Sequence, residues 1–172
     1  MNRAFVLLGS NIEREKNLPA AVRLLRRCCR VRLVSSVYET VPVGLEEQPC
    51  FWNAAVLLET ELTAAQLKSE VLAEIERELR RVRTEDPNAA RTIDIDITLF
   101  NRDSFDLDAT HHIPDPDLLK YPHVAVPIAE VAPWLRHPET DEQMQEIAGR
   151  LMHEAEEKGE PPLRKRVEVT LA

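Results

Sequence analysis

The stretch from Arg91 to Phe100, RTIDIDITLF, restricts the fold of this chain more than any other. At a period of two, Ile93, Ile95, Ile97 and Leu99 fall on one face, while Asp94, Asp96 and Thr98 fall on the other. β-Branched residues dominate the stretch and neither Gly nor Pro interrupts it, so the pattern predicts a strand with one apolar face. The strand rise sets Asp94 and Asp96 roughly 7 Å apart at Cα. Asp is depleted in strands, and an i, i+2 pair has two explanations. One is a solvated face of an antiparallel sheet. The other is a magnesium site, because hard cations take carboxylate oxygens and such a pair can flank one or two ions held against a substrate's phosphates. Arg80, Arg81, Arg83 and Arg91 bracket the start of the strand, and guanidiniums beside paired carboxylates suit a magnesium-bound polyphosphate. Metal and phosphate therefore outweigh the solvated face.

A chain of 172 residues fits a single domain spanning 1–172, and 44% hydrophobic with 30% charged residues is the balance of a globular protein. A formal charge of −8 argues against nucleic acid, so an anion must be held by a local arginine cluster and the expected partner is a small molecule. No apolar run reaches the roughly 20 residues of a membrane span, and MNRAFVLLGSN reads as strand and turn without a signal-peptide pattern, so the expected location is cytoplasmic. Cys28, Cys29 and Cys50 form neither a disulfide framework nor a metal motif, and core packing is the expected role of the adjacent pair.

Taken in order, residues 4–8 predict a buried strand ending in the Gly9-Ser10-Asn11 turn. Leu18, Ala21, Val22, Leu25 and Cys28 mark an amphipathic helix, with Asn17 and Pro19 suited to its start. Alternation from Val31 to Tyr38 predicts one strand, 39–50 a long loop, and Phe51 to Thr60 a further strand with Phe51, Asn53 and Ala55 on one face. Asn53 beside an aromatic ring is either an internal hydrogen-bonder or a reader of a flat heterocycle. Thr63 and Gln66 form a capping box for a helix with Leu67, Val71, Ile75 and Leu79 on one stripe through about residue 82. Arg80 and Arg81 then either cap its last turn or serve a ligand. Residues 84–90 form a loop, 105–107 a short strand, 124–131 a short helix, 142–157 a helix and 163–171 an edge strand. His111, His112, His137 and His153 lack metal-ligand spacing and are read as surface or structural. The order is a βαββαβ core, an α+β fold of ferredoxin-like type whose antiparallel sheet carries helices on both sides.

The segments LLGSN at 7–11, SSVYETVPVG at 35–44, FWNAAV at 51–56, RVR at 81–83, RTIDIDITLF at 91–100 and VPIAEVAP at 126–133 together resemble the 6-hydroxymethyl-7,8-dihydropterin pyrophosphokinase family. The resemblance spans roughly residues 4–135 and leaves 136–172, a helix and an edge strand, outside the pyrophosphokinase-like core. It implies a folate-pathway enzyme that moves the β,γ-pyrophosphoryl group of ATP to the pterin's hydroxymethyl oxygen and releases AMP, with magnesium as a pair of ions. Asp94 and Asp96 match the family's metal ligands. Arg81, Arg83 and Arg91 match positions that grip ATP phosphates, and Glu76 an acidic position on the preceding helix. Thr40, Val41, Val43, Phe51 and Asn53 match the pterin pocket, with Phe51 where an aromatic ring stacks. The chain departs from the family at Asp115 for a histidine, Tyr121 for an arginine, His123 for a second stacking aromatic and Asn88 for a tryptophan. Two other readings stay open: a divergent paralogue acting on another heterocyclic alcohol, and a non-catalytic nucleotide- or pterin-binding module. The oligomeric state is not legible.

Overall fold

The computed structural model describes residues 1–41 and 47–171. Its strands are β1 (Asn2–Ser10), β2 (Arg30–Val34), β3 (Val37–Thr40), β4 (Phe51–Thr60), β5 (Asp94–Phe100), the small hairpin β6 (Phe105–Asp106) with β7 (His112–Ile113), and β8 (Arg164–Arg166). The main sheet runs β5-β1-β4-β3-β8 with β2 also on β4, and every pairing is antiparallel. That is the predicted βαββαβ arrangement. β1 outruns residues 4–8 at both ends because β4 pairs with it from Asn2↔Thr60 to Ser10↔Trp52, and ladder hydrogen bonds recruit polar ends that an apolar run does not mark.

Helices cover both faces. α1 (Arg14–Cys28) and the helical stretch made of α2 (Ala64–Gln66), a π-helical turn at Leu67–Leu72 and α3 (Ala73–Glu78) close over Leu8, Val56, Ile95 and Ile97. On the other face α4 (Pro122–Val131) and α5 (Met144–Glu157) close over Phe5, Ala55 and Leu99. The Thr63–Gln66 capping box forms as predicted, and a Gln143–Glu146 box starts α5 two residues after the expected Glu142.

Several expectations are corrected. α1 starts ahead of Asn17 and carries Pro19 inside it; burial of Leu18, Ala21, Val22 and Leu25 outweighs the missing amide. Cys28 is exposed and Cys29 only half-buried, so the pair is not core. The single strand predicted over 31–38 splits into β2 and β3. A register shift between Val31 and Leu33 leaves Leu33 50% exposed, while Ser35 Oγ accepts from Ala55 N and Ser36 turns its N–H and hydroxyl to Glu130. β5 begins at Asp94 instead of Arg91, since the Arg91 carbonyl accepts from Asn11 and Ile12 in a turn. Against β1 it bulges at Thr98, because Phe5 pairs with Leu99 and Val6 with Ile97. The bulge moves Leu99 off the face of Ile93, Ile95 and Ile97, and puts Phe100 there in its place. The helix expected to reach 82 stops at Glu78, with Arg80 in the left-handed region at φ 60. The edge strand expected over 163–171 shortens to Arg164–Arg166, antiparallel to β3.

Candidate active site

One row of Cα partners crosses the sheet near its end: Asp94 on β5, Gly9 on β1, Asn53 on β4, Tyr38 on β3 and Lys165 on β8. The cationic part of the site sits at the Asp94 end of that row. Its anchor is Glu76 on α3, 6% exposed, whose Oε1 accepts from Ile95 N at 3.0 Å and from Arg81 Nη1 at 2.8 Å. Its Oε2 accepts from Arg83 Nη2 at 2.9 Å. The left-handed turn at Arg80 makes this possible: Arg81 N returns to the Glu76 carbonyl at 2.9 Å, so Arg81 folds back over the helix it has just left. Arg81 therefore does not cap α3 with its side chain.

Arg81 Nη1 also donates to Asp94 Oδ1, and Arg91 Nη1 donates to Asp94 Oδ2 at 2.9 Å. Burial alone would lower the pKa of Arg81; the charges of Asp94 and Glu76 more than offset it, so the net shift is upward. Arg81 Nε is buried without a partner among the described residues, and Arg83 is 72% exposed at its side chain. Arg83 thus presents guanidinium N–H groups outward, while Arg81 Nε is enclosed. Arg91 spans two parts of the site, because its guanidinium carbon also lies 5.6 Å from the centroid of the Phe51 ring.

Asp96 differs from Asp94. It is half-buried with no hydrogen-bonding cation among the described residues, and burial together with the charges of Asp94, Asp115 and Glu76 pushes its carboxyl up to about 8, with Arg81 opposing. A divalent cation beside the pair would remove that repulsion, so the donor chemistry fits magnesium. Among the described residues no group of three His, Cys, Asp or Glu side chains is gathered into a cage, so such an ion would complete its shell with oxygens from outside the chain. Asp96 shares a cavity of about 70 Å³ with Lys68, His111 and Asp115.

Thr40, Phe51 and Asn53 come together in the β3–β4 ladder, where Thr40 faces Phe51 and Tyr38 faces Asn53. Asn53 is buried and its Nδ2 donates to Tyr38 O and Thr40 Oγ1, both at 3.1 Å; its amide N–H groups serve the protein, as one of the two readings required. Val41 is exposed and lines a cleft of about 880 Å³ with Thr40, Tyr121, His123 and Met152. Val43 lies outside the described residues.

The departures are also placed. Asp115 caps the short 3-10 helix Pro116–Leu119, accepting from Asp117 N at 2.9 Å, and burial raises its pKa. Tyr121 packs on His123 with ring centroids 5.4 Å apart, and burial lowers the His123 pKa. Asn88 O accepts from Gln48 Nε2 at 2.8 Å.

Asn11 is the residue that sequence reasoning undervalued. It is buried, accepts from Arg91 N at 2.8 Å and donates to Gln48 Oε1 at 2.8 Å and Pro49 O at 3.2 Å, so it joins the β1 tip, the arginine loop and the segment before β4. Its signals are the Gly9-Ser10-Asn11 tip, though most such tips are merely turns, and its place in the LLGSN segment.

Residues 5–133 match the family model described as 7,8-dihydro-6-hydroxymethylpterin-pyrophosphokinase. The chain is 42% identical over 133 residues to a Bacillus subtilis 2-amino-4-hydroxy-6-hydroxymethyldihydropteridine pyrophosphokinase, covering 76% of this chain and 78% of that protein. It is 36% identical over 139 residues to the Porphyromonas gingivalis protein of the same name, covering 78% of this chain and 93% of that one. A crystal structure of a Plasmodium falciparum HPPK-DHPS chain with pteroate superposes with a TM-score of 0.72 at 15% identity, which supports the fold alone. The alignment covers 91% of this chain and 44% of that one, so the present chain spans less than half its length.

Proposed function

The chain belongs to the 7,8-dihydro-6-hydroxymethylpterin-pyrophosphokinase family, and from that premise we propose how its residues divide the transfer of pyrophosphate from ATP to hydroxymethyldihydropterin in folate biosynthesis. The observation that carries the assignment is Arg91, which pairs with Asp94 at 2.9 Å and lies 5.6 Å from the Phe51 ring. One guanidinium thus links a phosphate-handling cluster to an aromatic shelf.

The acceptor's hydroxymethyl oxygen attacks the β-phosphorus of ATP. The bond from that phosphorus to the α,β-bridging oxygen breaks, AMP leaves and the hydroxyl proton is released. Such transfers ask little covalent chemistry of the protein, so alignment and charge neutralisation supply most of the acceleration. Asp94 and Asp96 would hold the magnesium pair, which supplies positive charge to the phosphate oxygens when bound. Arg81, Arg83 and Arg91 donate to the phosphates. Glu76 holds Arg81 and Arg83 in place from the core, which keeps the arginine fork aimed before substrate arrives. Phe51 stacks on the pterin, and Thr40, Val41 and Asn53 line its pocket, to which the resemblance also assigns Val43. Residues 1–172 act as one domain. Among the described residues no helix is long and apolar enough to cross a membrane, and we place this ATP-consuming reaction in the cytoplasm.

The test is AMP release from ATP and magnesium, with and without 6-hydroxymethyl-7,8-dihydropterin. Pterin-dependent AMP, abolished by Asp94→Ala in a protein that still folds, is the expected result. ATP binding without pterin-dependent AMP would overturn the reading in favour of another acceptor or a binding module.

A further inference from the structure

β8 lies outside the residues matched by the family model, yet its side chains reach the acceptor side of the site. Arg166 Nη1 donates to Glu39 Oε1 at 3.0 Å, and its guanidinium carbon lies 5.5 Å from the centroid of a Trp52 ring. Arg14, at the start of α1, engages the same two residues: its Nη1 is 3.1 Å from Glu39 Oε1 and its guanidinium carbon 4.7 Å from the Trp52 ring. Arg14 also donates to the carbonyl of Cys50, immediately before β4. Glu39 and Trp52 are cross-strand partners, set between the Tyr38–Asn53 pair and the Thr40–Phe51 pair. The two arginines therefore grip the rung that lies between the two rungs assigned to the acceptor.

β3 has only four residues, and on its outer side its hydrogen-bonding edge is covered by β8, through Val37↔Arg166, Tyr38↔Lys165 and Glu39↔Arg164. A strand this short with one open edge frays readily. Fraying here would reach the site directly, since Asn53 takes both of its amide contacts from Tyr38 and Thr40 on β3. We propose that Arg166 is a positioning residue for the acceptor: β8 straps the outer edge of β3, and Arg166 locks the Glu39–Trp52 rung so that Thr40, Phe51 and Asn53 keep their spacing. This rests on the reading of those three residues as the acceptor pocket. The ion pairs of the ATP-handling arginines with Glu76 and Asp94 lie at the opposite, β5 edge of the sheet, so the strap acts first on the acceptor and meets the ATP side through Arg91, 5.6 Å from the Phe51 ring.

The experiment uses the full chain with Arg166→Ala, Arg166→Lys and, beside them, Phe51→Ala. Binding of 6-hydroxymethyl-7,8-dihydropterin is titrated in the presence of magnesium and a non-hydrolysable ATP analogue, and KM is measured for both substrates. Arg166→Ala is expected to weaken pterin binding and raise its KM about tenfold, the equivalent of one hydrogen bond to a charged group. The KM for ATP and the kcat at saturation should stay within about twofold, the pattern of lost ground-state binding. Arg166→Lys keeps the charge on Glu39 without the planar fork and should recover part of the loss. If Arg166→Ala fails to fold, the smaller split between the two substrates in Arg166→Lys decides the matter. Unchanged pterin affinity in Arg166→Ala, with Phe51→Ala impaired, overturns the strap and leaves the pocket assignment standing. Equal losses for ATP and pterin make Arg166 merely structural and overturn it as well. An inert Phe51→Ala overturns the pocket assignment, and the strap with it.

Discussion

Two carboxylate–arginine clusters stand at the same end of the sheet, on opposite edges, and they differ in what they leave unengaged. Around Glu76, Arg81 and Arg83 are anchored by the core carboxylate, but Arg81 Nε has no partner among the described residues and Arg83 projects into solvent. Around Glu39, Arg14 and Arg166 lie against Trp52 and bind the carboxylate and neighbouring groups. The residue types are the same. We propose that a binding cluster keeps donors at the surface after the fold has satisfied its own acceptors, as Arg83 does, whereas a structural cluster turns them inward. Asp96 sharpens the contrast, since it is the one site carboxylate pushed up to about 8 by burial and by neighbouring negative charge.

The largest effect expected is on Asp96. Asp96→Ala should lower kcat by on the order of 10²- to 10³-fold, with no loss of thermal stability, because it removes a carboxyl whose charged form burial and the charges of Asp94, Asp115 and Glu76 disfavour. Retained AMP release would break the assignment of the β5 carboxylates. Arg81→Ala should do two things at once: abolish most activity and destabilise the fold by about 3 kcal/mol, as when one partner of a buried pair is removed. Chemical denaturation beside turnover would show both. Arg83→Ala separates them, since an exposed side chain should change stability by less than about 0.5 kcal/mol while still weakening ATP binding. If Arg83→Ala left the KM for ATP unchanged, available donors would not be what defines the binding cluster.

On the other cluster, Glu39→Ala should cost about 1–2 kcal/mol of stability and leave the KM for ATP unaltered; a large ATP effect would erase the distinction between the two edges. The smallest effect concerns pH and lies outside both clusters. His137 is buried, its Nδ1 accepts from Glu139 N and Thr140 N at 3.2 and 3.3 Å, and burial lowers its pKa against the opposing charges of Glu139 and Glu142. The unfolded chain therefore takes up the proton first, so stability is full above the ordinary histidine pKa of about 6.5 and falls as pH drops below it. His137→Asn should flatten that slope in urea titrations between mildly acidic and neutral pH, and an unchanged slope would assign it to other groups.

Much of this was legible in the chain. Period-two alternation located β4 with its faces correct, the Thr63–Gln66 box marked a helix start, and the paired aspartates with flanking arginines carry the phosphate-and-metal reading proposed above. Those signals are local, carried by residues a few positions apart, and local order is what propensity and patterning report. Thr98 shows the limit. Its bulge turns Leu99 to the opposite face because β1 sets the register, and nothing within RTIDIDITLF records its partner. Arg81 and Asn11 show it again: which carboxylates Arg81 meets depends on a reversal at Arg80, and Asn11 matters only because Arg91 and Gln48 arrive beside it. The sequence by itself determined the βαββαβ order, the position of β4 and the start of the Thr63–Gln66 helix, and it supplied the residues of the proposed site. Which arginines were left with donors to offer, and which carboxylate was left without a cation, only the tertiary structure decided, because hydrogen-bond satisfaction and burial depend on neighbours far away along the chain.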